Sequence, residues 1–155
     1  MAEIPSILFV EDDPGYTLLL EEVLHPDLLE KATFVTDGDE ALNFLFHRGE
    51  YVSIPEDFYP AIIFLDLRMP RVDGFTVLQE LRASKRHANI PVIILTTSDS
   101  ASDRKRALEH GANDLIVKPW DVEDISKKID LAIQEWLDYP HENLDSQDPG
   151  VPANR

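Results

Sequence analysis

The sequence predicts an α/β fold, a doubly wound five-stranded parallel sheet with helices on both faces. Five short apolar runs are each followed by a segment with helical spacing, the alternation that builds parallel sheets. The runs are apolar throughout rather than alternating, as suits strands covered on both faces. Acids, hydroxyls and one lysine fall just beyond those runs, at what would be a single edge of the sheet.

The first run, Ile7 to Val10, leads into Glu11-Asp12-Asp13. Pro14 suits the first position of a helix and Asp13 its N-cap, with Tyr16, Leu19, Leu20, Val23 and Leu24 along an apolar face. Ala32 to Thr36 is a second strand, and Asp37-Gly38 opens a helix through Ala41, Leu42, Leu45 and Phe46 that Gly49 should end. Glu50 to Pro60 is a longer connection, whose Tyr51, Phe58 and Tyr59 either pack it down or meet a partner. Ala61 to Leu65 is the third strand and ends on Asp66. Pro70 then halts regular structure, and Asp73-Gly74 turns the chain into a helix marked by Phe75, Leu78 and Leu81.

Val92 to Leu95 is the fourth strand, followed by Thr96-Thr97-Ser98. Ser102 and Asp103 begin a polar helix that stops at Gly111, and the Asp103-Arg104-Lys105-Arg106 run reads as its solvated face, with partner docking as the alternative. Leu115 to Val117 is the fifth strand, closed by Lys118-Pro119. The last helix carries a stripe of Val122, Ile125, Ile129, Ala132, Ile133 and Trp136, so Trp136 reads as core. Residues 139–155, with Pro140, Pro149, Gly150 and Pro152, are expected to form a flexible tail or an arm ordered by a partner.

The 155 residues suit one domain. The absence of cysteine excludes disulfides and thiolate metal sites. A formal net charge of −16 repels phosphodiester backbones, so nucleic acid is not an expected partner, while proteins and cations are. No apolar stretch has transmembrane length and the first residues lack a basic region, so a cytoplasmic location without membrane contact is expected. His25, His47, His87, His110 and His141 lack metal-ligand spacing and read as surface or helix-end residues.

On a parallel sheet, Glu11, Asp12, Asp66, Thr96 and Lys118 share the C-terminal edge. Three carboxylates so placed repel one another unless a cation intervenes, and an oxygen-only donor set selects a hard ion, Mg²⁺ being the abundant one. With the cation bound, Asp66 is a candidate nucleophile toward a phosphoryl group, whose oxygens Lys118 and Thr96 would receive.

These residues carry a resemblance. VEDD at Val10 to Asp13, FLDLRMPRVDG at Phe64 to Gly74, LTTS at Leu95 to Ser98 and VKP at Val117 to Pro119 resemble the receiver domain of two-component response regulators, over roughly residues 5 to 138. The resemblance implies a flavodoxin-like fold with strand order 2-1-3-4-5. It also implies Mg²⁺ held by Glu11, Asp12, Asp66 and the backbone carbonyl of Arg68, and a sensor histidine kinase as phosphodonor. Thr96 and Lys118 would then respond to the phosphoryl group, across a cis Lys118-Pro119 bond. The long Glu50 to Pro60 connection and the EWL ending of the last helix further resemble single-domain regulators paired with bacterial phytochromes. That narrower likeness implies a bacteriophytochrome kinase, a homodimer built with the last strand, last helix or tail, and a separate downstream target.

The chain departs from the usual pattern in two respects. Leu115 stands where a switching aromatic is common, and Arg68 and Ser98 occupy positions that tune water access to an acyl phosphate. Three rival functions fit these residues less well. A haloacid-dehalogenase-like phosphatase needs a second Asp where Arg68 stands, and a guanidinium is no general acid. A flavodoxin-like carrier needs a phosphate-cradling loop where Glu11-Asp12-Asp13 stands. A phosphorylation-independent pseudo-receiver predicts an eroded acid set, which this chain does not show.

Overall fold

The computed structural model describes residues 3–138; the expectations for residues 139–155, and for His141, lie outside the described residues. The elements run β1 (Ile7–Val10), α1 (Pro14–Val23), α2 (Pro26–Glu30), β2 (Ala32–Val35), α3 (Gly38–Leu45), β3 (Ile62–Leu65), α4 (Gly74–Ala83), β4 (Val92–Thr96), α5 (Ala101–Glu109), β5 (Asp114–Val117) and α6 (Val122–Leu137), with a 3₁₀ turn at Gly49–Tyr51. All strand pairs are parallel, and the sheet order is β2-β1-β3-β4-β5.

The period-2 side-chain alternation of a strand divides the core into two layers. Leu8, Val10, Ile63, Leu65, Val92 and Ile94 face α3, α4 and α5, while Ile7, Phe9, Ile62, Phe64, Ile93 and Leu95 face α1, α2 and α6. On the second face Phe9 stacks between Phe34 and Phe64, each pair of ring centroids 5.0 Å apart, which ties β2, β1 and β3 together by cross-strand contact. Trp136 packs against this layer, as its place in the stripe predicts.

Helix starts follow their caps. The side chains of Asp13, Asp37, Asp73, Ser100 and Asp121 each accept a backbone N–H in the first turn of α1, α3, α4, α5 and α6. Ser100 therefore sets the start of α5 at Ala101, one residue before the expected Ser102. α3 closes at Leu45 rather than at Gly49, because the chain turns left-handed already at His47 (φ 55°), and Gly49 opens the 3₁₀ turn instead. α2 escaped the sequence reading, since five residues are too few to show a period. It is set by Pro26 at its first turn and by His25, whose Nδ1 accepts from Asp27 N.

The aromatic residues of the 50–60 connection pack it down. Tyr51 Oη donates to Glu40 Oε1 at 2.8 Å, and Tyr51 and Phe58 both meet Phe44 edge-on. Tyr59 meets His87, which is 2% exposed and so is not the surface residue its sequence context suggested. The Leu45 carbonyl can only accept, so His87 Nε2–H donates to it at 2.8 Å, and Nδ1 accepts the Ser84 hydroxyl at 2.7 Å. The neutral ring thus pins the end of α4 to the end of α3. Among the described residues no helix is long and apolar enough to cross a membrane.

Burial, outweighing the bond to Leu45, holds His87 below the usual imidazole value of 6.5. A depressed folded-state pKa contributes stability that is present above the unfolded value and lost as pH falls through the folded one. Thermal melts of the wild type should therefore drop below about pH 6.5. In His87→Gln, which keeps a donor and an acceptor, the midpoint should be lower near neutrality and the acid slope shallower. Parallel pH profiles for the two proteins would refute this role for His87.

Candidate functional site

The strand ends converge through the backbone ladder. Glu11 N donates to Val35 O, Asp66 N to Val10 O and Lys118 N to Thr96 O, at 3.0, 3.0 and 2.7 Å. Each bond carries the pairing one residue past the strands, so that functional side chains leave the sheet from fixed positions. Asp66 is held again from behind, because Gly74 N donates to Leu67 O and a Cβ on Gly74 would overlap the Asp66 carbonyl oxygen. A residue with no side chain is required for that close approach.

At the edge, Lys118 Nζ lies 2.6 Å from Glu11 Oε1 and donates to Asp66 Oδ2 at 3.2 Å. All three residues are buried, as is Thr96. The contact pairs Glu11 Oε1 with the ammonium, while Glu11 Oε2 accepts Asp13 N at 3.1 Å. Tyr16 closes the underside: Lys118 Nζ sits 4.7 Å from its ring centroid, and Tyr16 Oη donates to Pro119 O at 2.9 Å.

The electrostatics describe a site with too much negative charge. Burial, and then the charge of Glu11, push the Asp66 carboxyl above the ordinary range despite the pull of Lys118. Burial and the hydrogen bond and charge of Asp66 do the same to Asp12. Lys118 is also raised, since Glu11 and Asp66 together outweigh the burial that opposes its charge.

Carboxylate oxygens of Glu11, Asp12 and Asp66 all lie within 4.8 Å of one another, close enough to share one ion. The raised Asp12 and Asp66 carboxyls and the absence of nitrogen or sulfur from the set fit a hard divalent cation. These three residues make a candidate divalent-metal site, at the edge where the sequence places them together. A cavity of about 600 Å³ lies elsewhere, at the N-terminal ends of β1 and β3 beside Ser6, Ala61 and Leu137. It holds none of these groups.

Two expectations need correction. The described backbone contains no cis peptide, so Lys118-Pro119 is trans. Trans is favoured for X–Pro by about 0.5–1 kcal/mol, and Lys118 reaches both carboxylates without the cis bond. Asp103 is not part of a solvated helix face: it is 8% exposed and bound to Arg68 and Ser98. With Ala107 it forms the buried i, i+4 pair of α5, the spacing that could have singled it out.

Residues 7–130 match the family model of the response regulator receiver domain. Among curated proteins, the probable methanogenesis regulatory protein FilR2 of Methanothrix harundinacea is 34% identical over 141 residues, covering 89% of this chain and 88% of that one. Response regulator Rcp1 of Synechocystis is 33% identical over 133 residues, covering 85% and 88%. Among solved structures, the phosphorylated cyanobacterial phytochrome response regulator RcpA superposes with a TM-score of 0.77 at 29% identity, covering 87% of this chain and 95% of that one. The Mn²⁺-bound form of Rcp1 gives 0.73 at 31%, covering 88% and 96%.

A ligand that binds only the folded acid cluster stabilises the fold by linkage. Mg²⁺ at ten times its Kd should add about 1.4 kcal/mol, read as a rise in melting temperature that EDTA reverses. A midpoint unmoved by millimolar Mg²⁺ and Mn²⁺ would count against the site.

Proposed function

We infer that this chain, which belongs to the response regulator receiver domain family, accepts a phosphoryl group on Asp66 from a sensor histidine kinase in a Mg²⁺-dependent reaction and signals by protein–protein contact. The observation that carries this is the buried Asp66 carboxylate, flanked by Lys118 Nζ at 3.2 Å and grouped with Glu11 and Asp12 at the sheet edge.

In the proposed reaction an Asp66 carboxylate oxygen attacks phosphorus, the phosphorus–nitrogen bond of the donor histidine breaks, and an acyl phosphate forms on Asp66. The buried carboxylate is an anion already positioned for attack. Lys118 moves from pairing a carboxylate to pairing a phosphoryl oxygen, with its charge held by Glu11 throughout. Thr96 Oγ1 accepts from Ser98 N at 3.1 Å, which leaves its hydroxyl proton to donate to a second oxygen. Mg²⁺ held by Glu11, Asp12, Asp66 and the Arg68 carbonyl would neutralise charge on the phosphoryl oxygens.

The chain would then be a switch that promotes its own phosphorylation and dephosphorylation rather than an enzyme acting on a released substrate. Its similarity to RcpA supports a light-sensing kinase as donor. Trp120, 64% exposed and edge-on to Tyr16 beside the site, offers apolar surface for a protein partner to cover. Exposed Val117 and Leu131, on the last strand and last helix, support pairing into a homodimer as one readout and a separate target protein as the other.

Incubation with acetyl phosphate or a phosphorylated kinase and Mg²⁺ should label the wild type, and Asp66→Asn should take no label. Equal labelling of that variant would end the reading. Lys118→Ala removes the partner of two buried carboxylates, a change that costs about 3–5 kcal/mol for a buried pair. It should keep divalent-ion binding yet lower the rate of labelling by roughly 10²-fold or more, as loss of one preorganised charge does. Lost ion binding with a normal labelling rate would contradict the role given to Lys118.

A further inference from the structure

We propose that Asp103 is a positioning residue for this site. It parks the Arg68 guanidinium away from Asp66, and so sets the lifetime of the acyl phosphate and links the phosphorylated loop to α5. The proposal rests on the phosphoacceptor reading above and concerns how that site is regulated.

Three elements meet on the one carboxylate. Arg68 Nη2 lies between both oxygens of Asp103, at 2.7 Å from Oδ1 and 2.6 Å from Oδ2. Ser98 Oγ donates to Oδ2 at 2.8 Å. Ser98 N in turn donates to Thr96 Oγ1, and Arg68 N lies within 3.4 Å of Asp66 Oδ1. A chain of polar contacts thus starts at the phosphoacceptor, passes through Arg68 to the first turn of α5, and returns through Ser98 to Thr96. Asp103 is buried at the closing point of this loop, whereas the Arg68 side chain is 60% exposed, so that the ion pair to Asp103 is what sets its position.

The two residues flanking the site from this side therefore answer to a third that touches neither Asp66 nor the metal ligands' carboxylates. A phosphoryl group on Asp66 adds a dianion within two residues of Arg68, and it competes with Asp103 for the guanidinium. Hydrolysis requires water to reach phosphorus; the phosphorus–oxygen bond to Asp66 then breaks, the carboxylate is restored and inorganic phosphate leaves. A guanidinium drawn onto the phosphoryl oxygens covers that approach, and one held by Asp103 leaves it open. Movement of Arg68 off Asp103 also releases the first turn of α5, a route out of the site that needs no aromatic at Leu115.

The test is the decay of labelled protein after removal of the phosphodonor in Mg²⁺, with melting curves to verify folding. Asp103→Asn keeps an acceptor for Ser98 but removes the charge that holds Arg68. It should lengthen the lifetime by about threefold or more, the coupling expected within one contact network. In an Arg68→Ala background the same substitution should have no further effect, and Asp103→Glu should restore decay toward the wild-type rate. An unchanged lifetime in Asp103→Asn, or an equal change with and without Arg68, overturns the positioning role while leaving Asp66 as acceptor. A wild type that takes no label overturns the acceptor reading, and this proposal with it.

Discussion

The Lys118 ammonium, set between the Glu11 and Asp66 carboxylates, is the interaction on which the rest of the structure depends. Charges this buried are tolerated only when paired, and loss of one partner of a buried pair costs about 3–5 kcal/mol. The three residues come from the ends of β1, β3 and β5, so the contact fixes the relative height of strands that are not all neighbours in the sheet. The backbone bonds just beyond the strands, the Gly74 approach beneath Asp66 and the Tyr16 ring under Lys118 all serve to hold this one arrangement. Burial, together with one ammonium among three carboxylates, raises the Asp12 and Asp66 carboxyls above the ordinary range, and a dication suits a site so short of positive charge.

The sheet was legible in the sequence because parallel strands covered on both faces have nowhere to place a polar residue until they end. The first polar residue after each run is therefore placed by the architecture itself, and Glu11 and Asp66 could be located before any contact was known. Thr96 shows the limit of that rule: it belongs to β4 and is wholly buried, yet its hydroxyl still reaches the edge. What stayed hidden were residues whose burial is decided by a distant partner. His87 is buried by the ends of α3 and α4 meeting, and Asp103 by Arg68, 35 positions earlier in the chain. Composition makes a His in a connecting loop and an Asp in a charge run look exposed, and only the i, i+4 pairing of Asp103 with Ala107 argued otherwise.

The geometry around Arg68 weighs against a hydrolase. A strand-end aspartate that becomes phosphorylated turns over quickly when a second carboxylic acid two residues on can move a proton. Here that place holds a guanidinium, which cannot act as acid or base at any accessible pH. The nearby carboxylate of Asp103 does not take up the task, because Ser98 and Arg68 hold it below the ordinary carboxylate range and occupy both its oxygens. Neither Arg68 nor Asp103 therefore supplies a proton relay on this side of Asp66. Under the proposed phosphoacceptor reading, an acyl phosphate on Asp66 would thus lack the second acid that a hydrolase places two residues on, and its breakdown would depend on how water reaches it past Arg68.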